Sequence, residues 1–172
     1  MDTVIQNGQP APDFELPNLQ GQLHRLSELR GRVVVLNFWS AECPWAERAD
    51  QVMDAYRQEW GENVTVWSIA SNVNESNEML AEAAEQRGLT LVLRDSHQKV
   101  ADRYGAQTTP HMFVVDGQGI LRYQGALDDT NFRQREARRF YLRQAVAAVL
   151  AGQDPDPAQT TPYGCTIVRS MP

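Results

Sequence analysis

Cys43 stands four residues beyond the apolar run Val33 to Trp39 and directly before a stretch with helical periodicity. A thiol at the junction of a buried strand and a helix N-terminus meets backbone N–H groups that lack internal partners. It also meets the positive end of the helix dipole, and both favour thiolate over thiol. Pro44 suits the first helical position, where its missing N–H is no loss. The chemistry on offer is attack on a disulfide or oxidation of the sulfur itself. A C-x-x-C dithiol needs a second sulfur three residues on, and that position is Ala46. The other cysteine is Cys165, in Pro162-Tyr163-Gly164-Cys165-Thr166-Ile167, so any intramolecular partner returns from the far end of the chain. A tail running from Ala151 to Cys165 at ~3.3 Å per residue is long enough to cross a domain of this size. The bland readings are a small buried hydrophobe for Cys43 and a free thiol in a frayed tail for Cys165.

The elements that must position these sulfurs alternate between strand and helix. Val33 to Trp39 has the pattern of a strand buried on both faces, and Trp45, Ala49, Val52, Met53, Tyr56 and Trp60 then repeat at helical spacing until Gly61. Val64 to Ala70 predicts a second strand, Asn74 to Arg87 a helix ended by Gly88, and Leu89 to Leu93 a short strand. Ser96 is placed to cap a short helix to Tyr104, with Gly105 behind it. Met112 to Val115 and Ile120 to Tyr123 flank Asp116-Gly117-Gln118-Gly119, a hairpin signal. A last helix is expected from about Phe132 to Ala151, and the prolines after Gly152 predict an extended tail. The expected organisation is one α/β domain over residues 1–152 and a Pro-rich tail over 153–172 that carries Cys165.

With 172 residues, 42% hydrophobic, the chain can bury one sizeable core. A net charge of −6 argues against nucleic acid and anionic membranes as partners. No stretch approaches a membrane span, and Met1 to Asn7 lacks the form of a signal peptide, which leads to the expectation of a cytoplasmic address. There a disulfide is more often transient and catalytic than structural. Three scattered His and two distant Cys lack metal-ligand spacing, and no phosphate loop or dinucleotide fingerprint is present, so no metal or cofactor is expected.

Gly8-Gln9-Pro10-Ala11-Pro12-Asp13-Phe14, Leu26-Ser27-Glu28-Leu29-Arg30-Gly31, the Val33 to Pro44 run and Thr108-Thr109-Pro110 together resemble the redoxin group. That group contains the alkyl hydroperoxide reductase/thiol-specific antioxidant proteins and the thioredoxin-like thiol-disulfide reductases. The resemblance covers roughly Gly8 to Gly125. The tail resembles a peroxiredoxin-like subgroup with a Gly-Cys pair near the C-terminus. It implies a thioredoxin-like fold, a mixed central sheet with helices on both faces and an N-terminal extension. It also implies a cis Thr109-Pro110 bond facing the thiol, with the backbone of Thr109 presented to an extended substrate. Peroxidatic sites of the group carry P-x-x-x-T-x-x-C. Here Ser40 supplies the hydroxyl three residues before Cys43, but Leu36 stands where proline belongs. Trp39 agrees better with the reductases.

The reading is a thiol-disulfide oxidoreductase with Cys43 as nucleophile, Cys165 as resolving cysteine, and Trp39, Ser40, Pro44, Thr109 and Pro110 around the substrate. A disulfide or peroxide, on a protein or a small molecule, and an external thiol reductant are its expected partners. Two alternatives stay open, a peroxiredoxin-like peroxidase and a thioredoxin-fold binding module that has lost turnover with its second helix cysteine. Around the site, His111 reads more readily as a solvent-facing strand residue, Trp45 as core, and Glu42 as solvated. Arg133, Arg135, Arg138, Arg139 and Arg143 read as a solvated basic face on the last helix, with Asp128 and Asp129 pairing with them or capping it.

Overall fold

The computed structural model describes residues 5–171; Met1 to Val4, on which part of the signal-peptide reading rests, and Pro172 lie outside the described residues. Strands β1 (Glu15–Pro17) and β2 (Leu23–Arg25) form a small antiparallel hairpin ahead of the main sheet. Then follow β3 (Val33–Trp39), α1 (Pro44–Trp60), β4 (Val64–Ala70), α2 (Asn77–Gln86), β5 (Val92–Arg94), α3 (Lys99–Tyr104) and β6 (Thr108–Thr109). The chain closes with β7 (His111–Val115), β8 (Leu121–Gly125), α4 (Tyr141–Leu150) and β9 (Cys165–Thr166). The central sheet has the order β5-β4-β3-β7-β8, with β3, β4 and β5 parallel and β7 and β8 antiparallel to their neighbours. This is the mixed α/β architecture of a thioredoxin-like fold.

Strand period explains how one apolar run builds two cores. Val33 and Val35 pack with Ala49, Met53 and Tyr56 of α1 and Leu142 and Val146 of α4. Val34, Leu36 and Phe38 point to the opposite face, against Tyr104, Phe113 and the N-terminal Phe14. Both faces of β3 are thereby sealed, and the C-terminal end of the strand is where the chain can turn out to chemistry. No helix among the described residues is long and apolar enough to cross a membrane.

Several boundaries move because side chains bond to backbone. Helix α2 starts at Asn77 rather than Asn74, with the Ser76 hydroxyl accepting the N–H of Met79 at 3.2 Å. The short strand is Val92–Arg94, not Leu89 to Leu93. Ser96 does not cap α3; the buried Asp95 carboxylate accepts the N–H groups of Val100 (3.2 Å) and Ala101 (2.9 Å) and the hydroxyl of Ser71 (2.8 Å).

The largest change concerns the last helix, which begins at Tyr141 and not near Phe132. Asn131 takes the N–H groups of Arg133 and Gln134, and Asp129 that of Arg138, so these segments satisfy their backbone in turns instead of a helix. The five arginines therefore share no helix face. Only Arg143 lies on α4, where it pairs with Glu59, while Asp128 pairs with Arg48 of α1.

Residues 153–164 are free of helix, as their prolines dictate, but the tail is not frayed. Thr160 bonds to Gln124 and Tyr123, Ile167 is buried, and β9 pairs with β6. Asp95→Ala removes two N–H acceptors and should cost about 1–2 kcal/mol in urea unfolding, whereas Ser96→Ala at the exposed neighbour should stay within ~0.5 kcal/mol.

Candidate active site

After Trp39 the chain leaves the sheet and turns through Ser40, Ala41 and Glu42 to Cys43, the N-cap residue of α1. The polar backbone of such a turn has no ladder to join. Two side chains at either end of α2 take it up. The buried Glu75 accepts the N–H groups of Ala41 (3.2 Å) and Glu42 (3.0 Å) and the hydroxyl of Ser40 (2.6 Å). Arg87 donates to the carbonyls of Ser40 (3.0 Å) and Ala41 (2.6 Å). Its guanidinium lies 5.3 Å from the centroid of the Trp39 ring and 3.3 Å from Asp50, to which the Trp39 indole also donates at 2.7 Å. Burial pushes the Asp50 carboxyl up, against the opposing pull of Trp39 and Arg87.

Cys43 ends on this clamped turn with only 3% of its surface exposed. Its Sγ donates to the carbonyl of Thr109 at 3.0 Å, and the Thr109-Pro110 bond is cis. Directly opposite Thr109 in the β6–β9 register is Cys165. Both thiols are free, and Cys165 packs against the buried cluster that contains Cys43. Burial opposes ionisation of Cys43. The Cys165 thiol, Thr109 and the N–H groups of Ala46 and Cys165, all facing the sulfur, outweigh it and leave the Cys43 thiol below its ordinary range. Cys165 moves the other way. Burial, the neighbouring Cys43 sulfur and its charge, with Glu75 adding to it, push it up to about 12. One sulfur is thus disposed to be the anion and the other to keep its proton.

The remaining residues divide by position. Pro110 and Thr109 sit against the sulfur, and Pro44 is exposed at the rim. Trp39 is wholly buried and the Ser40 hydroxyl is committed to Glu75, so neither lines an open surface; both hold the turn from within. Glu42 is exposed, and Trp45 is half-buried beneath the tail rather than in the core, its ring edge-on to Tyr163 at 4.8 Å. His111 corrects the solvent-facing expectation. It is buried, stacks on Phe113 and accepts the N–H of Gln107 at 3.1 Å. Glu75, Arg87 and Asp50 are the residues that sequence reasoning missed. Glu75 reads there as one acidic residue before a helix cap and Arg87 as an ordinary basic helix end, and neither pattern points to a turn more than thirty residues away. Among the described residues no three His, Cys, Asp or Glu side chains gather as metal ligands.

Residues 7–124 match the AhpC/TSA family. The chain belongs to that family. This AhpC/TSA protein is 35% identical over 122 residues to the thiol-disulfide oxidoreductase ResA of Geobacillus thermodenitrificans, covering 70% of the present chain and 69% of that one. Two solved structures follow it along nearly its whole length, tail included. A hypothetical protein of Sinorhizobium meliloti superposes with a TM-score of 0.88 at 30% identity, over 99% of this chain and 98% of the other. An uncharacterized conserved protein of Geobacillus kaustophilus gives 0.88 at 26% identity, over 99% and 95%.

Two pH dependences follow for the AhpC/TSA protein. The rate of Cys43 alkylation against pH should show a midpoint below the ordinary thiol value of about 8.5; a midpoint at or above it overturns the hydrogen-bonding account. Burial alone lowers His111 to about 4. The unfolded residue titrates near 6.5, so between those values the unfolded chain binds the additional proton. Its contribution to stability is therefore complete above about pH 6.5 and is lost as the pH falls through the folded value. The urea midpoint should drop between pH 7 and pH 5, and His111→Asn, which keeps an acceptor for Gln107, should flatten that drop.

Proposed function

We propose that the protein is a thiol-disulfide oxidoreductase in which Cys43 attacks and Cys165 resolves. The observation that carries the reading is the placement of Cys165, paired in β register with Thr109, whose carbonyl accepts from the Cys43 sulfur, and packed against the cluster that holds Cys43. The relative named thiol-disulfide oxidoreductase supports the same class of reaction. The Cys43 thiolate attacks one sulfur of a substrate disulfide, forming a mixed disulfide and releasing the other half as a thiolate. Once the Cys43 anion is consumed, its charge no longer raises Cys165, which ionises more readily. Cys165 then attacks the Cys43 sulfur, a Cys43–Cys165 bond forms, and the second half of the substrate leaves as a thiolate. The substrate gains two electrons. An external thiol reductant returns the pair to the dithiol.

Thr109 and Pro110 position the substrate, Pro44 borders it, and Trp39 with Ser40 keeps the turn rigid. The commitment of the Ser40 hydroxyl to Glu75 weighs against the peroxidase alternative, because that hydroxyl is not free to bind and polarise a peroxide. The lowered Cys43 thiol weighs against the inert binding module. Cys43→Ser should abolish reaction with a model disulfide. Cys165→Ser should attack once and stall, accumulating adducts at Cys43 that dithiothreitol releases, read by non-reducing electrophoresis and mass spectrometry. Unimpeded turnover by Cys165→Ser without a trapped adduct sinks the resolving role, and rapid peroxide consumption with dithiothreitol by the wild type moves the assignment to a peroxidase.

A further inference from the structure

In this fold the backbone edge of Thr109, beside the cis proline and above the reactive sulfur, is where an extended polypeptide can add a strand. That edge is already taken. Thr108 and Thr109 pair antiparallel with Thr166 and Cys165, and Ile167 extends the pairing by donating its N–H to the carbonyl of Gln107 at 3.0 Å. The strap is fastened further along, where Arg169 bonds Asp102 at 2.8 Å and the Ala106 carbonyl at 2.6 Å, and Val168 bonds Asn72 at 2.8 Å. One strand edge holds one partner. Cys43 lies covered beneath it.

How the strap fits also says what else could fit. A Cβ built on Gly164 would lie 2.1 Å from the carbonyl oxygen of Thr109, 2.7 Å from its carbonyl carbon and 3.1 Å from Pro110 Cδ. The first two are backbone atoms of the edge itself, so no rotamer change relieves the clash and only glycine is tolerated directly before the cysteine. One residue earlier, the Tyr163 ring meets the half-buried Trp45 edge-on at 4.8 Å, and its hydroxyl accepts the N–H of Phe132 at 3.0 Å. That is a recess for an aromatic ring with a polar tip.

We infer that the strap is a tethered occupant of a polypeptide-binding edge, and that its register states the class of substrate the edge accepts: extended segments with an aromatic residue, glycine and then the reacting cysteine. The inference rests on the oxidoreductase reading and adds its substrate selectivity. In the reaction, the Cys43 thiolate displaces the leaving thiolate of a disulfide-bearing peptide and becomes disulfide-bonded to the peptide cysteine. The strap competes at an effective concentration on the order of millimolar, as a tethered ligand does, so loosening it should speed capture.

The test uses the full chain and two peptides, a synthetic copy of residues 161–167 and the same peptide with alanine at the Gly164 position. Each is activated as a mixed disulfide with 2-nitro-5-thiobenzoate, whose release reads the rate, and mass mapping locates the adduct at Cys43. The glycine peptide should react about tenfold faster than the alanine peptide, the factor that a lost contact of ordinary strength gives. Gly164→Ala in the chain expels its own strap and should raise the glycine-peptide rate by about the same factor. Arg169→Ala, which loosens the strap away from the edge, should raise it in the same direction. Equal rates for the two peptides, or unchanged rates in both variants, overturn the inference. 2-Hydroxyethyl disulfide separates the two levels. If it reacts at Cys43 while the peptides are not discriminated, the selectivity alone falls; if Cys43 is inert to it and to both peptides, the oxidoreductase reading falls as well.

Discussion

A nucleophile at the mouth of a helix depends on the turn that carries it. Here three residues of irregular backbone, Ser40 to Glu42, are held between a carboxylate that takes their donors and a guanidinium that takes their acceptors. Neither Glu75 nor Arg87 belongs to the turn, and each arrives from a different end of α2. The position of α2 on the sheet, fixed by Leu80, Ala83 and Ala84 against Trp39 and Ala46, is therefore a condition for the geometry of Cys43. Arg87 in turn relies on Asp50 and the face of Trp39. Because Asp50 and Arg87 are nearly removed from water, deleting one alone leaves a charge without its partner, a loss of about 3–5 kcal/mol in such pairs.

The same economy of contacts governs the sulfurs. Thr109 meets Cys43 through its carbonyl, and meets Cys165 through its strand edge, so a single residue registers both. Their proximity drives their proton affinities apart, as expected when two groups that ionise to like charge are neighbours. The asymmetry that assigns the roles of attacker and resolver is a property of the pair. The strap's Cys165 supplies part of it, while the Ala46 N–H at the helix start acts on Cys43 whether or not the strap is docked.

What could be read from the sequence was local. The β3 run declares a doubly buried strand through its own composition, Cys43-Pro44 declares a helix start, and Asp116 to Gly119 a hairpin. Thr109-Pro110 was legible only by resemblance to known proteins. The misreadings occur where a distant or polar partner overrides periodicity. Arginines after Asn131 have helix-forming side chains, yet two short carboxylate and amide acceptors hold their backbone in turns. His111 follows the proline on a strand whose other residues alternate between two cores, and no pattern in the chain says that its neighbour space is filled by Phe113 and the Gln107 backbone. Glu75 and Arg87 reach Ser40 across 35 and 47 positions, separations at which sequence carries no spacing signal.

Cys43 and Cys165 are 122 positions apart. A bond between them would turn residues 43–165 into a ring, with 42 residues ahead of it and seven behind. Closing so long a loop removes denatured-state entropy worth about 5 kcal/mol in the chain-entropy picture. By linkage, whatever the bond gives to the fold the fold gives to the bond, and for a two-electron couple that amount corresponds to a potential lowered by on the order of 100 mV. Placing the second sulfur at the far end of the chain, where a helix dithiol would close only a few residues, thus makes the linear dithiol form the stronger electron donor and the ring the more durable protein.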